Sequence, residues 1–156
     1  MKNEIINIVI AGLGGQGVIK ASDIVADAAF RAGYDVKKSE LHGMSQRGGS
    51  VSSDVRFGRE VFSPMVPTGE ADFLVIVAAD QIEVNRSQLR QGGTLIVPDA
   101  IDATKLTNRK SLNVALLGVL SKHLPISEMH WHEAILAAFP AKLYAANIQA
   151  FALGRG

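Results

Sequence analysis

The sequence contains no cysteine. That absence excludes a disulfide, a Cys-ligated zinc, a Cys-ligated iron–sulfur cluster and a thiol nucleophile from this chain. Charge of one sign is lacking as well: 16 Lys plus Arg stand against 15 Asp plus Glu. A near-zero balance removes the usual electrostatic argument for nucleic acid or an anionic membrane as partner. Long apolar runs are also missing. The first, from Ile5, covers only about six residues, shorter than a signal peptide requires, and nothing approaches the ~20 residues of a membrane span. The expectation is a cytoplasmic chain with no nucleic-acid and no membrane partner, and 156 residues suit a single domain over 1–156.

What is present alternates between strand and helix patterns. Residues 5–11 (IINIVIA) form a β-branched run that suits a strand buried on both faces. Over 16–32, Val18, Ala21, Val25, Ala28 and Ala29 recur at helical spacing, with Gly33 placed to cap the end. A second strand is read over 34–41. Residues 51–57 alternate as VSSDVRF, and a turn at 58–60 into Val61-Phe62 predicts a hairpin over 51–62. Pro64 and Pro67 make 63–69 an extended connector. FLVIVAA (73–79) is the strongest strand, Asp80 is placed to cap a helix reaching Gln91, and Gly92-Gly93 turns into TLIVP. Helices are expected at 112–123, 127–139 and 141–153. The fold class is α/β: an open, mostly parallel Rossmann-like sheet with helices on both faces, one antiparallel hairpin and a helical C-terminus.

Two glycine-rich segments carry the chemical interest. Gly12-Leu13-Gly14-Gly15-Gln16-Gly17 satisfies G-x-G-x-x-G between a strand and a helix. Such a turn lets backbone approach a ligand and aims helix N–H groups at a phosphate; its structural counterpart is plain close packing of helix on strand. A nicotinamide site would add an acid about 20 residues on. Glu40 lies in that region but follows Lys37-Lys38, so it is an ambiguous ribose ligand. His42-Gly43-Met44-Ser45-Gln46-Arg47-Gly48-Gly49-Ser50 is too polar for core. Residues 37–59 net +3 while the rest of the chain nets −2, which makes this loop either an anion cradle or a solvated turn. His130 and His132 stand two apart and do not share a helix face. There is neither an H-E-x-x-H nor a G-x-S-x-G, so no metal site and no serine hydrolase are expected. Trp131, Phe139, Tyr144 and Phe151 are read as helix-packing residues.

As a set, GLGGQGV, SELHGMSQRGGSVSSDVRFG, VFSPMVPTGEADFLV, the Asn113-Val114-Ala115-Leu116-Leu117-Gly118 helix and the Asn147-Ile148-Gln149-Ala150-Phe151 helix resemble the gamma subunit or domain of 2-oxoacid:ferredoxin oxidoreductases. The likeness is to the indolepyruvate branch, where that domain is a separate chain, and it covers essentially all of 1–156. The resemblance implies oxidative decarboxylation of a 2-oxoacid to an acyl-CoA with electrons passed to ferredoxin. It places thiamine diphosphate and the iron–sulfur clusters on a large partner subunit, with CoA in the assembled complex and no catalytic residue or metal in this chain alone. It further implies that Gly12, Gly14, Gly15, Gln16 and Gly17 form the cofactor-binding turn. The 42–50 loop would face the partner or the active-site region. Many family members carry another strand–helix segment before the Asn113 helix; here only 99–112 is available, so a smaller sheet is expected. Two readings stay open beside this one: a stand-alone NAD(P)-dependent oxidoreductase, and a nucleotide-binding module without chemistry.

Overall fold

A computed structural model of the chain describes residues 4–42 and 49–156. Its centre is β1 (Ile6–Leu13), the expected β-branched strand, which runs two residues into the glycine motif. Alternate residues point to opposite faces of a strand, and here both faces are dry. Ile8 and Ile10 enter one apolar cluster, Val9 and Ala11 another. Helix α1 (Val18–Arg31) follows and buries all five residues picked out by its spacing. It ends in paired bonds from the Gly33 N–H to the Phe30 carbonyl and from the Tyr34 N–H to the Ala29 carbonyl, an arrangement that terminates the helix on the glycine just past its cap.

The next two strands differ from expectation. β2 (Asp35–His42) and β3 (Ser50–Gly58) are antiparallel to each other, and β3 is also antiparallel to β1, giving the order β2-β3-β1-β4-β5. The hairpin is therefore 35–58, not 51–62. With β3 bonded to a strand on either side, no edge remains for residues 61–62. Val61 is instead held by its N–H on the Asp35 carboxylate at 2.8 Å, and Phe62 points to solvent. Four of the five strands run in one direction, as a mostly parallel sheet requires, with β3 the exception.

β4 (Ala71–Ile76) and β5 (Leu89–Ile96) pair in parallel, with a shift of register between Ala71 and Phe73. The helix expected to reach Gln91 shrinks to α2 (Ile82–Asn85), one turn flanked by 3-10 turns, and Asp80 makes no capping bond to it. The reason lies downstream. Leu89 pairs with Ala71, and Arg90 meets Asp72 of β4 at 2.7 Å, so 89–91 are drawn into the sheet. The polar stretch before Leu112 forms three 3-10 turns and no strand. Helices α3 (Leu112–Ser121), α4 (Glu128–Ala138) and α5 (Tyr144–Arg155) then occupy the expected places.

Coverage of the sheet is uneven. Helices α1, α3, α4 and α5 contribute to the large cluster against Ile8 and Ile10, with Trp131 and Phe151 fully buried in it. The opposite face, Val9, Ala11, Leu74 and Ile76, is covered by Val66 of the 59–70 connector and by Ile82 of α2. No helix among the described residues is long and apolar enough to cross a membrane.

Candidate functional site

The glycine turn is built around Gln16. Its carboxamide oxygen accepts the Leu13 N–H at 2.7 Å, while its own N–H donates to the Leu13 carbonyl at 3.2 Å. Gly17 is the N-cap of α1 with φ of 77°, and a side chain there would also lie 2.4 Å from the Asn113 amide nitrogen. That double demand, of handedness and of space, explains why only glycine fits. The Gly17 carbonyl accepts both the Ala21 N–H at 2.9 Å and the Asn113 side-chain amide at 3.1 Å. Asn113 thus ties α3 to the turn. Among the described residues no side chain caps α1, and its first turn holds no acid, which leaves the positive end of the helix dipole aimed outward.

Beside that helix end is a cleft of about 470 Å³, lined by Gly15, Gln16, Gly17, Lys20, Val77, Arg109, Lys110, Leu112, Asn113 and Phe139. Among the described residues, three cations and no carboxylate line it. Lys20 is fixed by a 2.9 Å bond to the Ala138 carbonyl and lies 5.4 Å from the centre of the Phe139 ring. A second hollow of about 300 Å³ on the other side of the turn is lined by Leu13, Gly14, Val18, Ile19 and Val51 among others. The larger cleft offers the groups that a polyanion with an aromatic part would need: paired cations, helix N–H groups and an aromatic wall.

Much of this escaped the sequence. No local motif singles out Lys20, Arg109, Lys110 or Asn113 as a site residue, and Phe139 reads as a packing residue. The signal available was the adjacent Arg109-Lys110 pair immediately before α3. Conversely, the net charge of 37–59 does not gather at the turn among the described residues. Lys37 pairs with Asp35 at 3.2 Å, and Lys38 pairs with Asp23 at 2.9 Å and with Glu40. Burial works against the Lys38 ammonium, yet the two carboxylates outweigh it and raise its pKa. Arg56 donates to the Asn7 side chain and the Ser63 carbonyl.

Of the 42–50 loop, Gly43, Met44, Ser45, Gln46, Arg47 and Gly48 lie outside the described residues. His42 ends β2 opposite Val51, whose other neighbour is Gly12. The Gly49 carbonyl accepts the Gly14 N–H at 2.8 Å, and the Ser50 hydroxyl donates to the Gln81 side chain at 2.8 Å. The segment therefore returns to the sheet against the glycine turn.

The ribose-acid expectation fares differently. Because β3 intervenes, the end of β2 lies two strand spacings, roughly 10 Å, from β1, and Glu40 is engaged by Lys38. The geometry of a nicotinamide site is not reproduced here. Among the described residues no group of three or more His, Asp or Glu could hold a metal.

Residues 7–156 match the pyruvate ferredoxin/flavodoxin oxidoreductase family. The chain belongs to that family. It is 37% identical to the indolepyruvate oxidoreductase subunit IorB of Thermococcus kodakarensis, over 95% of this chain and 93% of that one. The homologue in Pyrococcus horikoshii is 36% identical over the same shares. Both alignments extend over 190 positions, more than the 156 residues here, so these relatives carry additional internal residues. The same fold occurs in the gamma subunit of a keto/oxoacid ferredoxin oxidoreductase from Geobacter sulfurreducens, with a TM-score of 0.81, 23% identity and coverage of 97% and 94% of the two chains. It also occurs within the 2-oxoglutarate:ferredoxin oxidoreductase of Magnetococcus marinus, with a TM-score of 0.85 and 23% identity, over 99% of this chain and 31% of that one. Within the family the chain is a gamma-type subunit of a 2-oxoacid:ferredoxin oxidoreductase.

Proposed function

We propose that this chain, as a single gamma-type domain over 1–156, is the small subunit of a cytoplasmic indolepyruvate-type oxidoreductase. The complex converts a 2-oxoacid and CoA to an acyl-CoA and CO2, passing two electrons to ferredoxin. The near-full-length identity with IorB subunits carries the reading. A chain without cysteine does not fit an iron–sulfur cluster, and no step in this chain runs through one. Clusters and thiamine diphosphate, which supplies the carbanion chemistry when bound, belong to the large partner subunit.

The contribution assigned to this chain is binding. CoA combines a diphosphate and a 3′-phosphate with an aromatic adenine ring. In the 470 Å³ cleft, Lys20, Arg109 and Lys110 hold the phosphates with the α1 N-terminus, and Phe139 meets the ring. Gly15 and Gly17 keep side chains out of the path of the phosphates, and Gln16 keeps the turn in shape by accepting the Leu13 N–H. Gly12 and Gly14 complete the turn, and the 42–50 loop faces the partner's active-site region.

Co-expression with the cognate large subunit tests the proposal. The purified complex should reduce ferredoxin or a viologen dye with indolepyruvate and CoA, while the isolated chain shows neither that activity nor micromolar NAD(H) binding. Turnover by the isolated chain, or full CoA-dependent activity of the large subunit without it, would refute the proposal.

A further inference from the structure

The connector between β3 and β4 is irregular in backbone yet fastened along its length. The Val61 N–H is held by Asp35 at 2.8 Å, the Ser63 carbonyl by Arg56 at 2.8 Å and the Val66 N–H by Asp54 at 2.9 Å. Pro64 and Pro67 fix two further backbone angles. Val61 and Val66 point inward, only 2% and 6% exposed. Between those anchors Phe62 is 82% exposed and Met65 51%. An unpinned loop could fold such side chains back onto the apolar surface it crosses; this one holds them away from it. Other exposed apolar side chains lie on regular elements that need no such fastening, Phe30 and Met129 on helices and Leu41 on strand β2.

Building on the heteromeric reading above, we infer that the 61–66 strap is a preorganised docking element whose Phe62 and Met65 insert into an apolar recess of the large partner subunit. Rigid display lowers the ordering cost of association, and large apolar side chains at the centre of a polar rim are the usual anchors of an interface. The rim is present in exposed Arg59, Glu60 and Glu70. Its mixed charge does not suit an anionic membrane surface. The occupant follows from the architecture. The strap lies on the sheet face that has no long helix over it. In the Magnetococcus marinus enzyme this fold makes up only 31% of a longer chain, so there it is tethered to its neighbours. As the small subunit of the reading above it would lose the effective concentration of that tether, and contact has to replace it.

The test compares wild type with Phe62→Ser/Met65→Ser in binding to the cognate large subunit, with thermal unfolding and size-exclusion light scattering of the isolated chains alongside. The expected result is unchanged unfolding and a dissociation constant raised roughly 30-fold or more, the loss typical of hot-spot side chains. Equal binding by both chains would overturn the docking role of the strap while leaving the subunit assignment intact. If the wild-type chain fails to bind the large subunit at all, the assignment under Proposed function falls and the inference with it. A wild-type homodimer that the double substitution converts to monomer would make a second copy the occupant and overturn the inference alone.

Discussion

Helices α3 and α5 touch through backbone, and Gly154→Ala measures how tightly. A Cβ at Gly154 would lie 1.8 Å from the Ala115 carbonyl oxygen, 2.9 Å from its carbon and 3.0 Å from the Val119 nitrogen. Ordinary contact begins at 3.4 Å, so the shortfall is about 1.6 Å. The obstacle is helix backbone, which cannot rotate aside. Alanine gains about 1 kcal/mol in helix propensity over glycine. Overpacking costs typically 1–3 kcal/mol, occasionally more, and a clash of this depth on backbone belongs at or above the upper end. The net expectation is a loss of about 2 kcal/mol, a fall in Tm of roughly 4–8 °C for a domain of this size. Thermal and urea unfolding of the isolated chain read it directly. Gly118→Ala should behave alike, since its Cβ would lie 2.2 Å from the Phe151 carbonyl. The double variant should lose less than the two singles together, because one separation of the helices relieves both clashes. A Gly154→Ala chain as stable as wild type would refute the close-crossing argument.

Arg109→Ala/Lys110→Ala should raise the KM for CoA of the assembled complex by roughly tenfold or more, with kcat little changed, since charged hydrogen bonds carry about 1.5–3 kcal/mol each. Unchanged KM would remove CoA from the cleft. Two carboxylates give opposite pH signatures. Burial pushes the Asp54 carboxyl above its usual 3.8 despite the Val66 N–H and nearby Arg56, so the native state binds extra proton and stability falls as pH rises through that raised value. Asp54→Asn should therefore gain on wild type from pH 3.8 upward. The Val61 N–H and Lys37 hold Asp35 below 3.8; its contribution is present above that pH and lost in acid, so Asp35→Asn should be the less stable chain at neutral pH and converge with wild type on acidification. Denaturant titrations from pH 3 to 8 check both signs, and parallel curves for either variant would contradict its assignment. On the anion-cradle reading of the 42–50 loop, Arg47→Ala should cost the assembled complex on the order of 2–5 kcal/mol; unchanged assembly and kinetics would make it an ordinary loop charge.

Elements defined by their own residues were legible in the sequence. The β-branched run of β1, the 3.6-residue spacing of α1, FLVIVAA and the three late helices all declare themselves locally, and the structure holds each of them, although the FLVIVAA strand ends at Ile76 and Ala79 already opens a 3-10 turn. What failed depended on neighbours. Val61-Phe62 carries β propensity, but whether it pairs is decided by β3 already having β1 and β2 on its two sides. The helix after Asp80 was cut short by Arg90 meeting Asp72, a partner 18 residues earlier. The candidate site shows the same division. The glycine turn is a local pattern and was found. Arg109 and Lys110 join it only because α3 docks Asn113 onto Gly17, a contact spanning 96 residues, and no spacing rule reaches that far.

Strand β2 meets the sheet only through β3, since nothing pairs it with β1. Its backbone protection is therefore borrowed. Whenever β3 separates from β1, β2 loses its link to the sheet at the same moment, so the strands 35–42 and 50–58 should lose amide protection together while β1, β4 and β5 keep their parallel ladders. The glycine turn straddles that seam. Gly14 donates to the Gly49 carbonyl just before β3, and the Gly17 carbonyl accepts the side-chain amide of Asn113 on α3, so the Gly14 N–H and the Asn113 side-chain amide should exchange on two different clocks at the two sides of the candidate site.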